Sequence, residues 1–223
     1  MALFIVNIIR ENPAALLYIL PILVMTLTAH ELCHGLMAYA RGDTTAKQQG
    51  RLSLNPLKHI ELFGFLMLMI FGFGWAKPVG VDLSNLKKPK RDFALVAAAG
   101  PFANFVIAFI CMIVFVSLLY ASRWESIAGK ALYYAISINI GLGVFNMLPI
   151  PPLDGSRLLA AFLPDNLYAK YLKAGNYGMA ILFALTTLGV LTDFLSNLKS
   201  AIFEGMMQVA DVPVRFFYEL LNR

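Results

Sequence analysis

The chain has 223 residues, 59% hydrophobic and only 14% charged, with a mean hydropathy of +0.71. Soluble domains carry roughly 45–50% apolar and 25% charged residues, so a soluble globular domain is excluded and a membrane protein is indicated. The net charge of +5 is no nucleic-acid signal, because the basic residues sit in loops between apolar runs, and two cysteines inside apolar runs are no disulfide framework.

The N-terminus lacks a basic region followed by a small-residue cleavage site, so no removable signal peptide is expected and the first span serves as its own insertion signal. That span covers 13–40. Pro13 stands at its start, where a missing N–H costs nothing, Pro21 is expected to kink it, and Arg41-Gly42-Asp43 ends it. Its last third contains His30-Glu31-x-x-His34. Positions four apart share a helix face, so the two imidazoles can grip one zinc ion while Glu31 reaches a zinc-bound water. Ionisable groups inside an apolar span are costly and usually functional.

Residues 41–58 are basic, with Arg41, Lys47, Arg51 and Lys58. The apolar run 60–74 is too short for an ordinary span, and Lys77, Lys87, Lys88, Lys90 and Arg91 follow it. A crossing there would put two basic loops on opposite sides. Residues 60–81 are therefore expected to be re-entrant and extended, with Gly64, Gly72 and Gly74 suited to the bend. Further spans are expected at 93–120, 131–148 and 177–195. The second of these stops at Pro149, Pro151 and Pro152. The tail 199–221 alternates apolar and polar residues at helical spacing, and reads as an amphipathic helix on the interface, interrupted at Pro213. The fold class is an all-α membrane protein, a polytopic transmembrane helix bundle with a short re-entrant or β-strand segment, in one domain. With the N-terminus outside, the outer side keeps only Arg10, Arg123, Lys130, Lys199, Arg215 and Arg223. The His30/His34 pair then faces the cytoplasm.

A catalytic zinc usually has three protein ligands and a water. The candidates for the third are Cys33, His59, Glu61 and Asp154. Asp154 follows the proline turn at the cytoplasmic end of the third span, the same depth as the end of the first. A helix cap or a partner for Arg157 is the competing reading of Asp154, and the histidine pair at matching depth favours the ligand.

Together these residues resemble the site-2 protease family of intramembrane zinc metalloproteases. The resemblance rests on His30-Glu31-x-x-His34 and on Asn146-x-x-Pro149-x-x-x-x-Asp154-Gly155. Leu54-Asn55-Pro56, Gly74-Trp75-Ala76-Lys77-Pro78-Val79 and Gly100-Pro101-x-x-Asn104 support it, over roughly residues 28–157. It implies one zinc per chain on His30, His34 and Asp154, with Glu31 as catalytic base. It also implies a membrane-spanning protein substrate, cleaved in regulated intramembrane proteolysis. The chain resembles a minimal member without a PDZ-like or CBS-like domain, expected in a prokaryotic cell membrane.

An oxyanion donor is needed beside the metal, and the Asn146 amide is the candidate, against a plain helix-to-helix hydrogen bond. A cleaved helix must unwind, and Gly74, Trp75, Ala76, Lys77, Pro78 and Val79 are expected to bind it as an edge strand, a reading that similar segments in the family support. Trp75 as an interfacial anchor is the alternative. Asn104 is grouped with the substrate-binding residues; it and Asn55 order backbone near the site or simply pack. The rival function is a non-catalytic metal-binding membrane scaffold or transporter, which would have no use for Glu31. No nucleic acid is expected as a partner; the lipid bilayer is.

Overall fold

The computed structural model describes residues 12–71, 76–173 and 175–222. The 3-10 turn Pro13–Ala15 leads into helix α1, Leu16–Ala40. The short helix α2, Thr45–Gln48, and a 3-10 turn over Pro56–Lys58 precede α3, Leu62–Phe71. Another 3-10 turn, Leu83–Asn85, leads to α4, Pro89–Tyr120, and then α5, Ile127–Asn146. Four helices complete the chain: α6 Asp154–Ala160, α7 Asp165–Lys173, α8 Gly175–Thr187 and α9 Val190–Leu221. The chain is an all-α, multi-pass membrane protein. Among the described residues, Pro13–Ala40, Pro89–Tyr120 and Ile127–Asn146 are long and apolar enough to cross a bilayer alone.

Each helix buries one stripe. On α1 it runs through Leu27, His30, His34 and Ala38, at spacings of three and four, so the histidines share the inward face with apolar neighbours. Pro21 lies inside this helix. On α4 the stripe runs through Ala97, Pro101, Asn104, Ala108 and Met112. The opposite face of α4 exposes Phe102, Val106, Ile110 and Val114, a row suited to lipid rather than water. At about 1.5 Å per residue α4 is roughly 48 Å long, more than the ~30 Å apolar core, so at least one end projects beyond it.

Inside a bilayer, helices associate through close packing and polar contacts rather than water exclusion. Both occur here. A Cβ on Gly143 of α5 would come within 3.0 Å of the Phe105 ring of α4, so the missing side chain lets the two helices close. The buried Asn139 amide of α5 donates to Thr26 Oγ1 of α1 at 3.0 Å. Tyr18 meets Tyr134 one end further along, at 5.7 Å between ring centres, and the two contacts run in the same chain direction, so α1 and α5 are parallel.

The C-terminal region departs from the sequence expectation. The span expected over 177–195 is two helices, whose axes bend by 81° between Ala180–Thr187 and Val190–Leu221. Gly189, with φ +79°, makes the break, in a conformation that other residues adopt at a cost. The tail is amphipathic, but α9 is not interrupted at Pro213. Proline's fixed φ is itself helical, so the helix passes through at the loss of one hydrogen bond. Nor does α9 stand apart from the bundle. Leu191, Leu195 and Ala210 join the apolar core of α4 and α5, Lys199 Nζ donates to Ser137 Oγ at 2.9 Å, and Tyr120 donates to Asp211 at 2.9 Å.

Residues 74 and 75 of the expected edge strand lie outside the described residues, and 76–79 are in no strand. No strand occurs among the described residues. Residues 76–81 belong to no helix or strand, and their polar backbone groups are met by side chains and by one backbone carbonyl instead of a ladder. Arg51 donates to the carbonyls of Lys77 and Pro78, at 3.1 and 2.8 Å, and Lys77 N–H donates to the His59 carbonyl at 2.8 Å. The helix α3, ten residues and about 15 Å long, is about half as long as an apolar core is thick, too short to cross one.

Candidate metal centre

His30 and His34 present their Nε2 atoms to one another at 3.0 Å, with the rings edge to face. Asp154 Oδ2 lies 3.2 Å from each of those nitrogens. The three residues are 4–7% exposed. Tetrahedral zinc with bonds of about 2.0–2.1 Å requires its ligand atoms to stand roughly 3.3 Å apart. The observed triangle is within 0.3 Å of that on every side. Buried imidazole and carboxylate donors also suit zinc chemically. The cluster therefore fits the metal.

Asp154 reaches the histidines from the first turn of α6, beyond the proline turn that ends α5. Gly155 permits this approach: a Cβ there would lie 2.1 Å from the Met147 carbonyl oxygen. The two oxygens of Asp154 divide their partners. Oδ2 faces the imidazoles and Oδ1 faces Arg157 Nη1 at 3.6 Å. Burial opposes the charge on Asp154, but attraction to His34 and hydrogen bonds with both imidazoles hold its carboxyl well below the usual carboxylate range.

Behind the rings lies one face of α4. His34 Nδ1–H donates to the Val96 carbonyl at 2.7 Å. A carbonyl can only accept, so this bond puts the proton on Nδ1 and leaves a lone pair on Nε2, the state in which imidazole binds metal. One turn on, Gly100 leaves room for both rings: its Cβ would sit 2.4 Å from His34 Nε2 and 2.7 Å from His30 Cε1. A further turn on, the fully buried Asn104 amide lies 3.2 Å from His30 Nδ1.

Glu31 is half-buried beside the cluster, and its Oε2 accepts from Val79 N–H at 3.0 Å. Gly74 and Trp75 lie outside the described residues; Ala76, Lys77, Pro78 and Val79 form the segment next to Glu31. Asn146 donates to the Leu142 carbonyl of its own helix at 3.1 Å. The other candidates for the third ligand lie elsewhere. His59 is buried and bonded to the Ser53 carbonyl, Glu61 caps α3 through Phe63 N–H and Gly64 N–H, and Cys33 is half-buried and free. Asn55 caps the turn at Leu57. Sequence reasoning missed Arg51 and Asp43, which strap this segment, and Val96, whose contribution is a backbone carbonyl with no side-chain signature.

A metal-fitting cluster of this kind, buried where the helices of an apolar bundle meet, defines a membrane metallopeptidase once relatives supply the chemistry. The Peptidase family M50 domain matches residues 116–188. A Bacillus subtilis (strain 168) protein named "Putative zinc metalloprotease YwhC" is 38% identical over 207 residues, covering 85% of this chain and 94% of that one. "Putative zinc metalloprotease Rip2" of Mycolicibacterium smegmatis is 31% identical, over 73% of this chain and 63% of its own length. "Zinc metalloprotease MJ0392" of Methanocaldococcus jannaschii is 32% identical, over 52% of this chain and 33% of its own length. No solved structure gives a significant match. The chain belongs to peptidase family M50, the site-2 protease family, and is a zinc-dependent membrane metalloprotease.

Proposed function

We propose that this protein hydrolyses peptide bonds of transmembrane substrates within or near the bilayer, as in regulated intramembrane proteolysis. His30, His34 and Asp154 hold one zinc ion per chain, and Glu31 is the general base. The observation that carries the reading is the triangle of ligand atoms at tetrahedral-edge distances, with a carboxylate on the adjoining turn. Bound there, zinc supplies a Lewis acid that polarises the scissile carbonyl and acidifies a water.

Glu31 takes the proton from the attacking water and passes it to the leaving amine. The Val79 N–H on Oε2 steadies the carboxylate, and Oε1 takes part in that transfer. Gly74, Trp75, Ala76, Lys77, Pro78 and Val79 receive the unwound substrate. Arg51, His59 and Glu31 hold this segment in place for that contact. Asn146 steadies the developing oxyanion after its amide leaves the Leu142 carbonyl. The site faces the cytoplasm, as the basic loops imply.

Asp154→Ala tests the ligand set. It should lower zinc affinity by orders of magnitude and abolish cleavage, read by metal analysis and by proteolysis of a membrane substrate in detergent. Full zinc affinity in that variant contradicts the assignment.

A further inference from the structure

We infer that Asn104 is a positioning residue for His30, its amide oxygen accepting the Nδ1 proton so that Nε2 faces the zinc with a free lone pair. The inference rests on the ligand assignment proposed above. Neutral imidazole carries one proton, and a ligating Nε2 leaves that proton on Nδ1. Such an N–H, buried, needs an acceptor. His34 has one in the Val96 carbonyl. The group facing His30 Nδ1 is the Asn104 amide, with its Nδ2 at 3.2 Å in the orientation assigned.

Two further observations agree. Asn104 is 0% exposed in the inward stripe of α4, and its Oδ1 is buried without a hydrogen-bond partner. A half-turn of the amide exchanges Oδ1 for Nδ2 and gives that orphan oxygen the Nδ1 proton. Val96, Gly100 and Asn104 are four apart and share one helix face. That face supplies an acceptor, a gap and an acceptor, matched to His34, both rings, and His30 in turn. The two imidazoles are thereby fixed by one helix, and the role of Asn104 is distinct from contact with substrate.

The test compares wild type with Asn104→Leu, which keeps the volume and removes the acceptor, and Asn104→Asp, which keeps an acceptor. Zinc affinity is measured by chelator competition, and the ring nitrogens are followed by NMR on 15N-histidine protein, which has only three histidines. Asn104→Leu should weaken zinc binding about 10–100-fold, the usual cost of losing a group behind a metal ligand. Asn104→Asp should stay within a few-fold of wild type. The His30 Nδ1 proton should be protected in zinc-loaded wild type and change in Asn104→Leu, with the His34 signal unmoved. Unchanged zinc affinity in Asn104→Leu, or equal losses in both variants, overturns the inference. The wild-type spectrum decides even if a variant fails to fold: a His30 Nδ1 proton exchanging freely with solvent contradicts the role. Wild type that binds no stoichiometric zinc sinks the ligand assignment instead.

Discussion

Gly100 carries the tightest steric condition of the centre although it donates nothing to it. A methyl group there would overlap both imidazoles, and its neighbours are ring atoms held by their own hydrogen bonds rather than flexible chain ends. Gly100→Ala is therefore expected to push the histidines apart and lower zinc affinity by about a hundredfold, the upper end of what disturbing groups behind a metal ligand costs. The helix itself should tolerate the change, since alanine is the better helix former. Zinc competition and thermal unfolding, measured together, check this: lost affinity with retained fold is the expected pair. Histidine spacing and Asp154 were legible in the sequence because a four-residue interval fixes a helix face and because membrane depth brings the ends of two spans together. The groups behind the rings were less so. A backbone carbonyl has no letter of its own, and the glycine of Gly100-Pro101-x-x-Asn104 states a gap without saying what fills it.

At the scale of elements, the segment beside Glu31 is held by side chains from the loop after α1. Asp43, fully enclosed, accepts from Thr45, from Asn85 Nδ2 at 3.1 Å and from Asp82 N–H at 2.9 Å. Burial raises its pKa, but these hydrogen bonds outweigh it and hold the carboxyl below its ordinary value of 3.8. A lowered folded pKa stabilises the fold fully above the unfolded value, and that contribution is lost as the pH falls through the folded one. The strap should accordingly be intact above about pH 4 and loosen below it, with limited proteolysis of 76–86 as the readout. Asp43→Asn should cost about 1–3 kcal/mol at neutral pH, as donors lose a charged acceptor, and should flatten the pH response. A pH response unaltered in that variant would assign it to another carboxylate. The segment was expected to be a strand because proline after Lys77 favours extended backbone. It forms no strand among the described residues, and its partners come from Arg51, His59 and Glu31, scattered contacts that no local pattern announces.

Across the whole molecule, hydropathy located the helices of the bundle and misjudged how the last two are arranged. An apolar face reads alike whether lipid or protein covers it. The run 177–195 therefore looked continuous through Gly189, and the amphipathic tail looked like a surface helix, although its apolar side packs on α4 and α5. The orientation proposed from the charge bias has its own test. Cysteines introduced at positions 47 and 88, on either side of α3, should both react with a membrane-impermeant thiol reagent from the cytoplasmic side; labelling from opposite sides would mean that the segment between them crosses.

The central claim is that Glu31 acts as the base beside a zinc held by His30, His34 and Asp154, and Glu31→Gln tests it most directly. Glutamine is nearly isosteric, so the helix should fold and its amide can still face Val79 N–H. It cannot take a proton from water. Zinc content and cleavage of a membrane substrate should be measured on the same purified samples of wild type and variant. The account expects stoichiometric zinc in both and cleavage lowered by about 10²–10⁴-fold or more in Glu31→Gln, the scale of general acid–base catalysis. Cleavage at a near wild-type rate by zinc-loaded Glu31→Gln would contradict it.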